Sequence, residues 1–145
     1  MEGNGGLSAV DEASGTILWT NNTGGSTEFS SPAVSSEGIY TQNSSCFNGA
    51  FDPADGTRQW QSQSNNCSFS WGYTPTVKAG TVFGRTGSSI DLFDAVTGTY
   101  SVSLASARAP AITATAMIAL NAGTLSSTRL SDRVQTWSYT GDGNL

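Results

Sequence analysis

The sequence contains no histidine, a single lysine and six basic residues in 145. Charged side chains make up 12% of it, against roughly 25% in an average soluble domain. Without imidazoles, histidine-based catalytic triads, histidine zinc sites and metalloprotease motifs are excluded at once. The basic residues (Arg58, Lys78, Arg85, Arg108, Arg129 and Arg133) are spread thinly over a chain of net charge −5, so no electrostatic footprint exists for nucleic acid or an anionic membrane. No apolar run approaches the roughly 20 residues of a spanning helix. Met1-Glu2-Gly3-Asn4-Gly5 lacks the basic and apolar regions of a secretory leader, and the expectation is a soluble chain with no signal peptide in it. Runs of Ala, Leu, Glu and Lys are also missing, which excludes a helical bundle or coiled coil. What is present is glycine, 17 residues of it, with Ser, Thr and Asn in nearly every stretch. That is the composition of a turn-rich β protein, of a length that suits one domain or a piece of one.

Three segments match one another: Leu7-Ser-Ala-Val-Asp11-Glu-Ala-Ser-Gly15-Thr-Ile-Leu-Trp19, Phe47-Asn-Gly-Ala-Phe-Asp52-Pro-Ala-Asp-Gly56-Thr-Arg-Gln-Trp60 and Ile90-Asp-Leu-Phe-Asp94-Ala-Val-Thr-Gly98-Thr. The aspartates are 41 and 42 residues apart. Between them a second signature recurs at Ser31-Pro32, Thr74-Pro75 and Ala109-Pro110, each followed by a short apolar stretch, the first two then reaching Gly38 and Gly80. A fourth copy ends in Val134-Gln-Thr-Trp137, with Arg129 and Arg133 where Asp and Gly would stand, and Val102 takes the tryptophan position of the third.

Each element has a mechanical reading. In Asp-x-x-x-Gly the carboxylate accepts a backbone N–H two residues on, and Gly supplies the positive φ that closes a hairpin. A proline opening the preceding strand fits an edge that needs no donor there. Each period therefore reads as four antiparallel strands, A after the Pro, B after the next Gly, C running into the Asp, and D carrying the Trp. Strand C is apolar on both faces, with Leu7, Ala9, Ala50, Ile90 and Leu92 on one and Val10, Phe51 and Phe93 on the other. A strand of that kind is sandwiched between layers. Four-stranded units of about 40 residues packed face to face are the blades of a β-propeller.

The two signatures together resemble the pyrroloquinoline-quinone-like, or quinoprotein-type, propeller repeat over essentially the whole chain. The resemblance implies an all-β partial propeller: a half blade at 5–22 and blades at 30–63, 70–106 and 108–140, about three and a half in an open arc. The family includes quinone-dependent dehydrogenases, outer-membrane assembly scaffolds and secreted proteins of unknown role, so the resemblance speaks to fold more than activity. The arc reads either as a sector of a longer propeller, as a subunit whose copies associate through their open faces, or as a unit stable alone.

Cys46 opens strand C of the first full blade, and Cys67 lies in the link leaving its strand D. In an up-down blade those two connections emerge on one side, so a disulfide is expected; closing that 21-residue separation contributes roughly 3 kcal/mol. It points to an extracytoplasmic or secreted location. Two free thiols are the alternative. Asn21, Asn43 and Asn66 begin glycosylation sequons that chance explains in so Asn- and Ser-rich a chain.

No catalytic, cofactor or metal residue is expected. The quinone enzymes of the family use a stacked tryptophan, calcium, a catalytic aspartate and, in one branch, adjacent cysteines, and this chain shows no acidic cluster and no adjacent cysteines. Asp52-Pro-Ala-Asp55-Gly56 has Ala54 where a calcium ligand belongs and reads as a turn. Gly84-Arg-Thr-Gly87 lacks the ending of a phosphate loop. Trp19, Trp60 and Trp137 read as wedges between blades. Trp71 and Tyr73, with Arg85 and Arg108 near them, form either a ligand or partner surface at the propeller mouth or packing under the loop that the disulfide pins. The expected function is a non-catalytic binding or scaffolding module, with further blades or other copies as partners; the alternative is a fragment of a quinone-dependent oxidoreductase.

Overall fold

The computed structural model describes residues 6–22, 30–65, 73–106 and 108–141. Among them every regular element is a β-strand. A two-stranded sheet, β1 (Gly6–Val10) and β2 (Ile17–Asn22), is followed by three four-stranded sheets. These are β3 (Ala33–Val34), β4 (Ile39–Gln42), β5 (Phe47–Phe51) and β6 (Arg58–Gln63); then β7 (Thr76–Lys78), β8 (Thr81–Thr86), β9 (Ser89–Asp94) and β10 (Tyr100–Ala105); then β11 (Ala111–Ile112), β12 (Ala116–Asn121), β13 (Thr124–Arg129) and β14 (Gln135–Thr140). Within each sheet the strands pair antiparallel in chain order, and the arc is not closed. The short strands β3, β7 and β11 follow Pro32, Pro75 and Pro110 and form one edge of each sheet, where a missing N–H costs nothing. β3 and β7 also neighbour one another, as inner strands of adjoining blades do.

The hairpin after strand C is built the same way four times. The N–H of the Asp bonds the carbonyl five residues on, and the Gly N–H bonds the Asp carbonyl, at Asp11, Asp52 and Asp94. Gly15, Gly56 and Gly98 hold φ near 70°. The fourth copy keeps this backbone although its signature residues are gone: Arg129 and Arg133 make the same two bonds, with Arg133 at φ 61°. Asp132 replaces the lost carboxylate by accepting the Val134 N–H, and it pairs with Arg129 at 2.6 Å. Every sheet also carries an irregularity in register beside this turn, at Ala9/Val10, Ala50/Phe51, Tyr100/Val102 and Ser127/Thr128. The tryptophan positions are thereby aimed alike: Trp19, Trp60, Val102 and Trp137 lie opposite Ala9, Ala50, Leu92 and Ser127.

The core lies between the sheets rather than within any one of them. Phe93 and Val82 of the third sheet pack with Tyr40, Ala50 and Trp60 of the second. Ile90, Leu92 and Phe83, on the opposite face of the same sheet, pack with Met117 and Ala119 of the fourth. Strand β9 is therefore apolar on both faces because a blade lies against each. The two outermost faces have no such cover among the described residues. Val10, Ile17 and Leu18 are exposed at one end and Leu125, Trp137 and Tyr139 at the other.

Candidate interaction surfaces

Two joints between blades repeat the same geometry. At the first, the Trp19 indole N–H donates to Pro53 O (3.0 Å), and the ring covers Gly56, where a Cβ would overlap it. At the second, the Trp60 indole N–H donates to Ala95 O (2.9 Å), and a Cβ on Gly98 would overlap that ring. Pro53 and Ala95 each directly follow the turn aspartate. The residue two beyond each tryptophan adds a bond to the glycine carbonyl, from the Asn21 amide at Gly56 and from the Ser62 hydroxyl at Gly98 (2.6 Å). Trp60 is further stacked on Phe93 at 6.5 Å and tilted against Tyr40 at 6.1 Å. So bulky a ring, buried with its one polar atom satisfied, is worth about 3–5 kcal/mol by comparison with its truncation to alanine. Trp19 and Trp60 are wedges between blades, whereas Trp137 differs from expectation: it faces outward and is 45% exposed.

The seat's turn is closed by local bonds that do not involve the indole. Thr97 N–H, then the Thr97 hydroxyl, and the Val96 N–H hold the Asp94 carboxyl below the usual aspartate range, and the Ser14 hydroxyl followed by its N–H does so at Asp11. In each, the Oδ1 oxygen accepts the bonds that close the turn.

The third joint departs from the pattern in a paired way. Arg133 stands where the seat glycine would be, and Val102 where the tryptophan would be. A side chain at the seat removes the room for an indole, and a valine no longer needs it. Arg133 instead donates to the Ser101 hydroxyl. Beside this contact opens a cleft of about 420 Å³ bordered by Phe93, Asp94, Thr97, Tyr100, Ser101 and Arg133.

At the other end of the second joint the packing is polar. Gln42 is fully buried and donates to Arg85 O (2.7 Å), while Asn48, also fully buried, donates to the Ser64 hydroxyl (3.1 Å). Asn48 lies against Gly84 so closely that a Cβ there would overlap its amide. Buried Asp91 accepts from the Ser103 hydroxyl and from Asn65 N–H (3.2 Å). Sequence reading missed Gln42, Asn48 and Asp91; their one signal is a large polar residue inside an otherwise apolar strand.

Of the residues expected at the mouth, the Arg85 guanidinium lies over the Tyr73 ring at 3.8 Å from its centroid, a cation–π contact. Arg108 is exposed beside Ser106, whose hydroxyl bonds its carbonyl. Trp71 lies outside the described residues, as does Cys67. Cys46 is fully buried with φ 58°, its N–H on Asn43 O, and its carbonyl accepts Ser64 N–H (3.0 Å). Among the described residues no three Cys, Asp or Glu side chains gather where they could share a metal ion.

No family model and no curated protein matches the sequence. Solved structures do. The crystal structure of BamB from Moraxella catarrhalis superposes with a TM-score of 0.75 at 17% identity, covering 96% of this chain and 44% of that one. The computationally designed Ika8 protein gives 0.76 at 14% identity, again over 96% of this chain and 44% of its own. A quinohemoprotein alcohol dehydrogenase from Pseudomonas putida HK5 gives 0.61 at 18% identity, over 76% of this chain and 20% of that one. The chain thus spans less than half the length of these structures. What they share with this chain is the fold: its four antiparallel sheets, in an unclosed arc, match part of a β-propeller.

Proposed function

We propose that the chain is a non-catalytic binding or scaffolding module, one sector of a larger propeller ring or assembly. The observation that carries this reading is the outer face of the last sheet, where Leu125, Trp137 and Tyr139 stand exposed in the register that blades elsewhere use to receive a neighbour. Apolar patches of this kind on a soluble protein mark interaction sites. Its partners are further blades, from the same or another chain. Location outside the cytoplasm rests on a disulfide between Cys46 and Cys67. The Ser64 N–H bond to Cys46 O supports that pairing by drawing the end of β6 alongside Cys46, and a mass gain of two hydrogens on reduction checks it.

A second reading, a sector of a quinone-dependent oxidoreductase, is favoured by the likeness to the alcohol dehydrogenase. Titration with pyrroloquinoline quinone and calcium, followed by absorbance and dye-linked alcohol oxidation, separates the two. The scaffolding reading expects no saturable spectral change and no turnover; stoichiometric binding with turnover overturns it.

A further inference from the structure

Resting on the reading of the chain as one sector, we propose that the two free ends of the arc are the two halves of one joint. A second copy of the chain fills it head to tail, with Trp137 of one copy seated on Gly15 of the next. The geometry is that of the two joints already formed. In each, the knob is a tryptophan eight residues after its own turn aspartate, and the seat is the next turn's glycine together with the carbonyl after its aspartate.

The last sheet presents such a knob. Trp137 is eight residues after Arg129 and lies opposite Ser127 in the register that places Trp60 opposite Ala50. The first sheet presents such a seat. Gly15 has φ 70°, matching the seats at Gly56 (74°) and Gly98 (70°), but a Cβ there would meet none of the described residues within 4 Å. Glu12 supplies the carbonyl in the position of Pro53 and Ala95. Val10, the counterpart of Phe51 and Phe93, is 54% exposed beside it. The seat is already shaped, because Asp11 closes its turn through Ser14.

The ends are unlike, so a two-fold axis through a single joint would set knob against knob; knob meets seat only when unlike ends join, chain after chain or twice over between two copies that close on each other. The seat turn of the last sheet is no competitor, because Arg133 occupies its glycine position and faces Ser101 of the preceding sheet. A central tryptophan entering a fitted pocket is the kind of contact that dominates an interface.

Sedimentation velocity over a concentration series tests this with two variants. Trp137→Ala removes the knob from an exposed position, and Gly15→Arg fills the seat with a residue that the same turn already accommodates at Arg133. Circular dichroism confirms that both fold. The wild type is expected to grow beyond 15.0 kDa with concentration, and each variant alone to associate at least tenfold more weakly. An equimolar mixture of the two should form a dimer and stop there, because one intact knob and one intact seat meet and both remaining ends are blocked. A wild type that stays at 15.0 kDa, a Trp137→Ala variant that associates as the wild type does, or a mixture that stays monomeric while the wild type associates overturns the proposal. None of these results bears on the quinone titration, which judges the scaffolding reading separately.

Discussion

Gly98 and Gly15 occupy the same turn position with the same φ of 70°, yet among the described residues only Gly98 of the two has an indole above it. Alanine at Gly15 meets no other described residue of its own chain and there carries only the left-handed penalty of about 1–2 kcal/mol. Alanine at Gly98 carries that penalty and also pushes a Cβ into Trp60, adding overpacking of about 1–3 kcal/mol. Urea unfolding of Gly15→Ala and Gly98→Ala, each in the Trp137→Ala background that leaves the Gly15 seat empty, should therefore show the larger loss at Gly98; equal losses would mean that the seat is not in contact with its knob. The turn glycines, their aspartates and Trp60 are legible from sequence because the turn bonds are local and repeat at a fixed period. Gln42, Asn48 and Asp91 are not. Their partners Arg85 O, Ser64, Asn65 and Ser103 lie 12 to 43 residues away, and nothing local announces them.

Among the elements, the fourth sheet is the informative one, because its signature is lost while its hairpin persists. Arg133 N–H still bonds Arg129 O, and Asp132 caps the turn from a new position. What sequence alone registers as erosion is, in space, an exchange: Trp and Gly at two joints, Val102 and Arg133 at the third. A double-mutant cycle measures that exchange. Val102→Trp alone should destabilise by about 1–3 kcal/mol, as the indole meets the side chain at the seat. Arg133→Gly alone should be milder, since it relieves the left-handed backbone while losing the contact with Ser101. Together they should recover part of the loss, with a favourable coupling of about 0.5–3 kcal/mol. Additive effects would separate the two positions. The strand assignments needed no such partner information, since Pro-led edges, alternation and the Asp-x-x-x-Gly turn fix them locally.

At the scale of the molecule, stability resides in the joints. The second and third sheets share one apolar cluster and the third and fourth another, so among the described residues the third sheet is the one that contributes to both. Stability in such stacked repeats is approximately a sum of blade and nearest-neighbour terms, and it should fall from the third sheet toward both ends. The repeat foretold the arc and its open faces; which residues stand free on them, Trp137 above all, came from the structure. Amide hydrogen exchange in the Trp137→Ala background, where association between copies is suppressed, tests this distribution most directly. The account predicts the slowest exchange in β5, β8 and β9 and the fastest in β1, β2 and β14. Uniform protection across the four sheets, or a β14 as slow as β9, would contradict it.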